Sequence, residues 1–111
     1  MRETLSKFSS WKKLHADQLV VGLLECRCRI LGSRSLKEKR SVVKSGLERV
    51  RQRFNLSTAE VGAQDDRQMA MMAVGGVASD KRLLERELTL ALNLLENIDG
   101  LEIIDADISF L

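Results

Sequence analysis

The chain has 111 residues, 44% of them hydrophobic and 31% charged, with a net charge of +2. That length and mixture suit one compact domain and exclude a disordered tract, which would be less hydrophobic and more one-sided in charge. No apolar run approaches the ~20 residues of a membrane-spanning helix.

Residues 1–17 read as an extension, and residues 18–111 as a single domain. In the extension Leu5, Phe8, Trp11 and Leu14 recur every third residue beside Lys7, Lys12 and Lys13. That spacing suits a short amphipathic helix resting on the domain, on a partner or on a membrane surface. Ser6, Ser9 and Ser10 oppose a helix, and a frayed or non-native terminus is the plainer reading. The stretch lacks the apolar core and cleavage site of a secretory signal.

A first strand, β1, is predicted over 18–31. Its start is apolar on both faces. Then Leu24, Cys26, Cys28 and Ile30 point inward while Glu25, Arg27 and Arg29 point outward. The two cysteines share a face, a poor arrangement for a disulfide, so a reducing cytoplasm is expected.

Gly32 lets the chain turn sharply out of β1. Ser35 followed by Glu38 is a capping-box pattern, with the Ser35 hydroxyl taking the Glu38 N–H and the Glu38 carboxylate reaching back to the N–H of Ser35. A helix, α1, is expected over 36–54 with Leu36, Val43, Leu47, Val50 and Phe54 on its buried face. From Arg34 to Arg53 there are eight Lys/Arg and two Asp/Glu, a segment charge of +6. From Asp99 to Leu111 the charge is −4.

A short strand, β2, is predicted over 55–63, a turn over 64–67, and β3 over 68–78. Met69, Met71 and Ala73 of β3 face one way and Ala70, Met72 and Val74 the other. The Gly75-Gly76 pair suggests a bulge. Ser79 or Asp80 caps a second helix, α2, with Leu84, Leu88, Ala91, Leu95 and Ile98 in one stripe. Gly100 suits the left-handed position that ends it. A last strand, β4, runs over 101–111, with Ile104, Ala106, Ile108 and Phe110 alternating with Asp105, Asp107 and Ser109.

The order βαββαβ is the ferredoxin-like split unit, an α+β fold. It predicts a four-stranded antiparallel sheet ordered 4-1-3-2, two helices on one face and the other face open. Arg27 and Arg29 should lie opposite Asp105 and Asp107. The Met-rich open half of β3 predicts a covering partner, and a homodimer is expected, with shielding by the N-terminal extension as the alternative.

Ser33-Arg34-Ser35-Leu36-Lys37-Glu38-Lys39-Arg40, preceded by Val21-Gly22 and followed by Val42-Val43-Lys44-Ser45, Arg53-Phe54-Asn55, Ala59-Glu60-Val61 and Gln64-Asp65, resembles the YlxP-like proteins over about 19–111. The extension and the Asp66-Arg67 pair depart from that pattern. The resemblance implies a small bacterial protein with a ferredoxin-like fold and no established activity. It also implies gene neighbours in translation and ribosome maturation, an association that says nothing of particular side chains.

For chemistry, the basic helix leads. Arg34, Lys37, Lys39, Arg40, Lys44 and Arg51 are candidates for phosphate contacts, beside the N–H groups at the start of α1. Ordinary solvation of a charged face is the competing reading. On a helical wheel Lys39 and Arg53 point away from the Lys37, Arg40, Lys44 and Arg51 row, so the candidate RNA or anion site is Arg34, Lys37, Arg40, Lys44 and Arg51. Neither β1 nor β3 carries an aromatic, which argues against base stacking on the sheet.

Cys26-x-Cys28 lacks further ligands, and the single histidine, His15, lies in the extension, so neither a metal nor a cofactor is expected. No nucleophile, base and phosphate loop converge, so an enzyme is not expected. The resulting expectation is a non-catalytic binding protein docking on structured RNA or the ribosome. The alternative is a protein-interaction module using the Met-rich sheet face or the edge of β4.

Overall fold

The computed structural model describes residues 18–111. The readings made for residues 1–17 lie outside the described residues. The elements are β1 (Val20–Ile30), α1 (Leu36–Arg53), β2 (Ser57–Gly62), β3 (Met69–Ala78), α2 (Lys81–Glu96) and β4 (Leu101–Phe110). All pairings are antiparallel and the strand order is β2-β3-β1-β4. This is the ferredoxin-like arrangement expected from the pattern.

The expected alternation in β1 holds: Leu24, Cys26, Cys28 and Ile30 are buried, while Glu25, Arg27 and Arg29 are exposed. In α1, Val43, Leu47 and Val50 are buried, and Leu36 and Phe54 are half-buried at its ends. The α2 stripe of Leu84, Leu88, Ala91, Leu95 and Ile98 is buried throughout. These side chains and Ala70, Met72 and Val74 of β3 form one core between the helices and the sheet.

The helix starts follow local chemistry. The Ser35 hydroxyl accepts the Glu38 N–H at 3.1 Å. The Glu38 carboxylate takes the N–H of Arg34 at 2.7 Å, one residue earlier than the expected capping box. Asp80 caps α2 by accepting from the N–H groups of Arg82 and Leu83. Gly32 and Gly100 adopt the positive φ expected of them, +73° and +83°.

Two expectations for the sheet are corrected. The Gly75-Gly76 pair is not a bulge, because β1 and β3 pair in unbroken register through Gly22 opposite Gly76 and Leu23 opposite Gly75. The facing pair Gly22 and Gly76 instead makes a notch for Leu84. A Cβ at Gly22 would stand 2.8 Å from Leu84, and one at Gly76 would stand 2.9 Å from Leu84 and 2.6 Å from Leu56. The irregularities lie at the edges, where β2 shifts register between Glu60 and Gly62 and β4 shifts opposite Arg27 and Cys28. The β4 shift breaks the single row expected from Ile104 to Phe110: Ile103 faces Cys28, and Ala106, Ile108 and Phe110 continue the helix-side row.

Antiparallel register and this shift together set the ion pairs on the open face. Arg27 binds Asp105 at 2.6 Å as expected. Arg29 meets Glu102 at 3.5 Å, whereas Asp107 lies opposite Glu25. Both ion pairs are about half exposed, so each is worth a few tenths of a kcal/mol to about 1 kcal/mol.

Candidate nucleic-acid interface

The first property of α1 that matters for binding is which of its cations reach solvent. Arg34 stands in the loop before the helix, and Lys37, Arg40, Lys44 and Arg51 follow on it; all five are exposed. Offsets of three, four and seven residues put the four helical cations in one row. At 1.5 Å per residue, Lys37 to Arg51 spans about 21 Å. Among the described residues the side-chain cations of Arg34, Lys37, Arg40 and Lys44 form no ion pair within 4.0 Å, although the Glu38 carboxylate binds the backbone N–H of Arg34. Arg51 differs, because Glu48 one turn before it lies at 3.9 Å and offsets part of its charge.

Lys39 belongs to another system. It is fully buried, although it sits among the basic residues first grouped as phosphate contacts. Its Nζ donates to Glu60 Oε2 at 3.0 Å and to the carbonyls of Ala63, Met69 and Gln64 at 2.7, 3.2 and 3.3 Å. An ammonium has three protons for these four acceptors, so the longer contacts share one. Lys39 therefore pins α1 to β2 and to the β2–β3 turn and offers nothing to a ligand. A signal for this existed in the sequence: Lys39 precedes Val43 by one turn and shares the stripe of Val43, Gly46 and Val50, all buried.

That turn is tightly built. Ala63 adopts φ +57°, a left-handed conformation, and its carbonyl also accepts the Asp66 N–H at 3.0 Å. The Asp66 carboxylate accepts the N–H groups of Gln68 and Met69, both at 2.8 Å. Those two donors hold its carboxyl below the usual value, and the Lys39 charge adds a smaller effect of the same sign. A groove of about 550 Å³ separates Arg34 from Arg67 and Gln68 across this turn.

A second set of polar groups was not singled out by the helical row. Arg49 and Arg53 are one turn apart on the opposite flank of α1 and face α2 across a groove of about 770 Å³. Asn93 and Asn97 of the α2 end line its far wall, and Phe54, Leu90 and Leu94 its apolar part. A separate, smaller pocket of about 290 Å³ lies beside it along α1, lined by Ser41, Val42, Ser45, Arg49, Asn97, Ile98 and Asp99. Only packing of the two helices creates the groove, so no local pattern announces it.

The sheet offers less for nucleic acid. Its open face presents Arg27 and Arg29 already paired to carboxylates, and Phe110 turns to the helix side beneath Lys81, whose Nζ is 4.9 Å from the ring centroid. Burial raises the thiol of Cys26 to about 11, with a smaller contribution from Glu96. Burial likewise raises Cys28 to about 12, with a smaller contribution from Cys26. Both are free thiols held in their neutral form. Among the described residues no group of three or more His, Cys, Asp and Glu is placed to hold a metal ion. No described helix is long and apolar enough to cross a membrane.

Comparison with known proteins agrees with the fold and names a family. A de novo designed protein, Foldit4, superimposes with a TM-score of 0.50 at 16% identity, covering 82% of this chain and 96% of that one. That likeness concerns the fold alone. The uncharacterized protein YlxP of Bacillus subtilis (strain 168) is 37% identical over 83 residues, which is 75% of this chain and 90% of that protein. Residues 21–108 match the family model described as protein of unknown function (DUF503). The chain thus belongs to the DUF503 family, with YlxP among its relatives.

Proposed function

We propose that this protein is a non-catalytic binding protein that docks on structured RNA, with ribosomal RNA as the partner, through the exposed flank of α1. The observation that carries the reading is the row Lys37, Arg40 and Lys44, with Arg34 at its end, all exposed and with no described ion pair to their side-chain cations within 4.0 Å. Cations not already neutralised by the protein are the ones that displace counterions from a phosphate backbone. Arg51 contributes less because Glu48 accompanies it.

Co-sedimentation with ribosomes and their subunits tests this. Binding is expected at low salt, with a log–log salt slope of about −0.7 to −0.9 per phosphate contacted. The R40E/K44E variant should lose it without loss of fold, since both side chains are exposed. Unchanged affinity in that variant overturns the site.

A second reading rests on the open sheet face. There Val77 of β3 is 69% exposed and Val61 of β2 58% exposed, with Ala73, Gly75 and Leu23 between the outer strands. On this reading the face binds a protein or a second copy of the chain, and the association is nearly insensitive to salt because apolar burial drives it. Light scattering at micromolar and higher concentration distinguishes a dimer from the 12.5 kDa monomer.

A further inference from the structure

The groove between α1 and α2 combines three kinds of group. Two guanidinium groups, Arg49 and Arg53, stand one turn apart on one wall, and among the described residues neither has a carboxylate within 4.0 Å. Two side-chain amides stand on the other. Asn97 gives one N–H to the Asn93 carbonyl at 2.7 Å and keeps its own carbonyl oxygen, and the Asn93 amide makes no described hydrogen bond. Between the walls lies apolar surface, with Leu90 42% exposed and Phe54 half-buried.

Each group matches one part of a nucleotide. Guanidinium forks match phosphate oxygens. Amides carry the donor and acceptor needed to read a base edge. Aromatic and aliphatic surface accepts the face of an unstacked base. A double helix keeps its bases stacked and cannot present all three at once, whereas a single strand can. The spacing fits as well: Arg49 and Arg53 are four residues apart, about 6 Å along α1 at 1.5 Å per residue, so both can reach phosphates of neighbouring nucleotides.

We infer that the α1–α2 groove binds a short single-stranded stretch of RNA, with Arg49 and Arg53 on its phosphates, Asn93 and Asn97 on a base edge and Phe54 and Leu90 beneath a base. This rests on the RNA-docking reading and deepens it. The outer row of α1 takes the structured backbone, and the inner groove takes an adjacent loop or end.

The test uses the full chain, labelled with nitrogen-15, titrated with a short mixed-sequence single-stranded RNA, a blunt RNA duplex, nucleoside 5′-monophosphates and a polyglutamate peptide. The single strand is expected to bind best and to move the side-chain resonances of Asn93, Asn97, Arg49 and Arg53. R49E/R53E should weaken it at least about tenfold, the scale of losing two phosphate contacts and adding repulsion. N93D should weaken it while the spectrum shows the fold intact. R40E/K44E should leave this short strand nearly unaffected while abolishing ribosome binding. If the single strand binds but the groove variants leave its affinity unchanged, the inference is overturned and the outer-row reading stands. If ribosomes bind and the single strand does not, the result is the same. Tighter binding of free nucleotides or of polyglutamate overturns the inference in favour of a small ligand or an acidic protein segment.

Discussion

Lys39 and Glu60 meet at 3.0 Å at the edge of the interior, the lysine fully buried and the glutamate side chain 18% exposed. The ammonium has no water to return to, so its charge depends on Glu60 and on the carbonyls of Ala63 and Gln64 in the β2–β3 turn and of Met69 at the start of β3. A buried pair of this kind adds little net stability compared with apolar packing, but losing one partner costs much.

Glu60→Ala is accordingly expected to destabilise the fold by about 3–5 kcal/mol, because it strands a buried cation. Lys39→Met removes the charge and keeps the bulk, so the double variant K39M/E60A should recover part of the loss. Urea unfolding of the three variants checks this, and equal losses in the single and double variants would show that the pair does not act as a unit.

Ala63 holds its left-handed φ of +57° because its carbonyl is taken by both Lys39 and Asp66. A residue with a Cβ costs about 1–2 kcal/mol there. Ala63→Gly should therefore raise stability by about 1 kcal/mol, less the extra chain entropy of glycine. A lower melting temperature in this variant would mean that the strain is absent.

The cysteines set an alkaline limit. Their folded values of about 11 and 12 stand above the ordinary 9.0, so the folded protein holds its thiol protons where the unfolded chain has lost them. The resulting stability is complete below about pH 9 and is lost as pH rises toward 11 and 12. Native protein at pH 8 should react with a thiol reagent only as fast as it unfolds, and Cys26→Ser/Cys28→Ser should flatten the loss of stability above pH 9. Fast labelling of the native protein would contradict the burial.

Periodicity and capping residues were enough for much of this protein. The alternation from Leu24 to Ile30, the stripe from Leu84 to Ile98, Ser35 before α1 and Gly100 after α2 each act within a few residues, and together they lead to the βαββαβ order and its sheet. Charge density along 34–53 was equally local, and it marked the outer row of Lys37, Arg40, Lys44 and Arg51.

What each cation faces was decided by tertiary packing. Lys39 and Arg40 are neighbours in sequence, yet one is sealed against Glu60 and the other reaches water, because a helix turns by about 100° per residue and the sheet covers one side of it. Arg49 and Arg53 gain Asn93 and Asn97 as neighbours only when α2 packs beside α1, 40 or more residues later in the chain. The Arg27–Asp105 pair was visible in the strand pattern. The Arg29–Glu102 pair was not, because a one-residue register shift in β4 selects it, and that shift is settled by how the strand fits its neighbour.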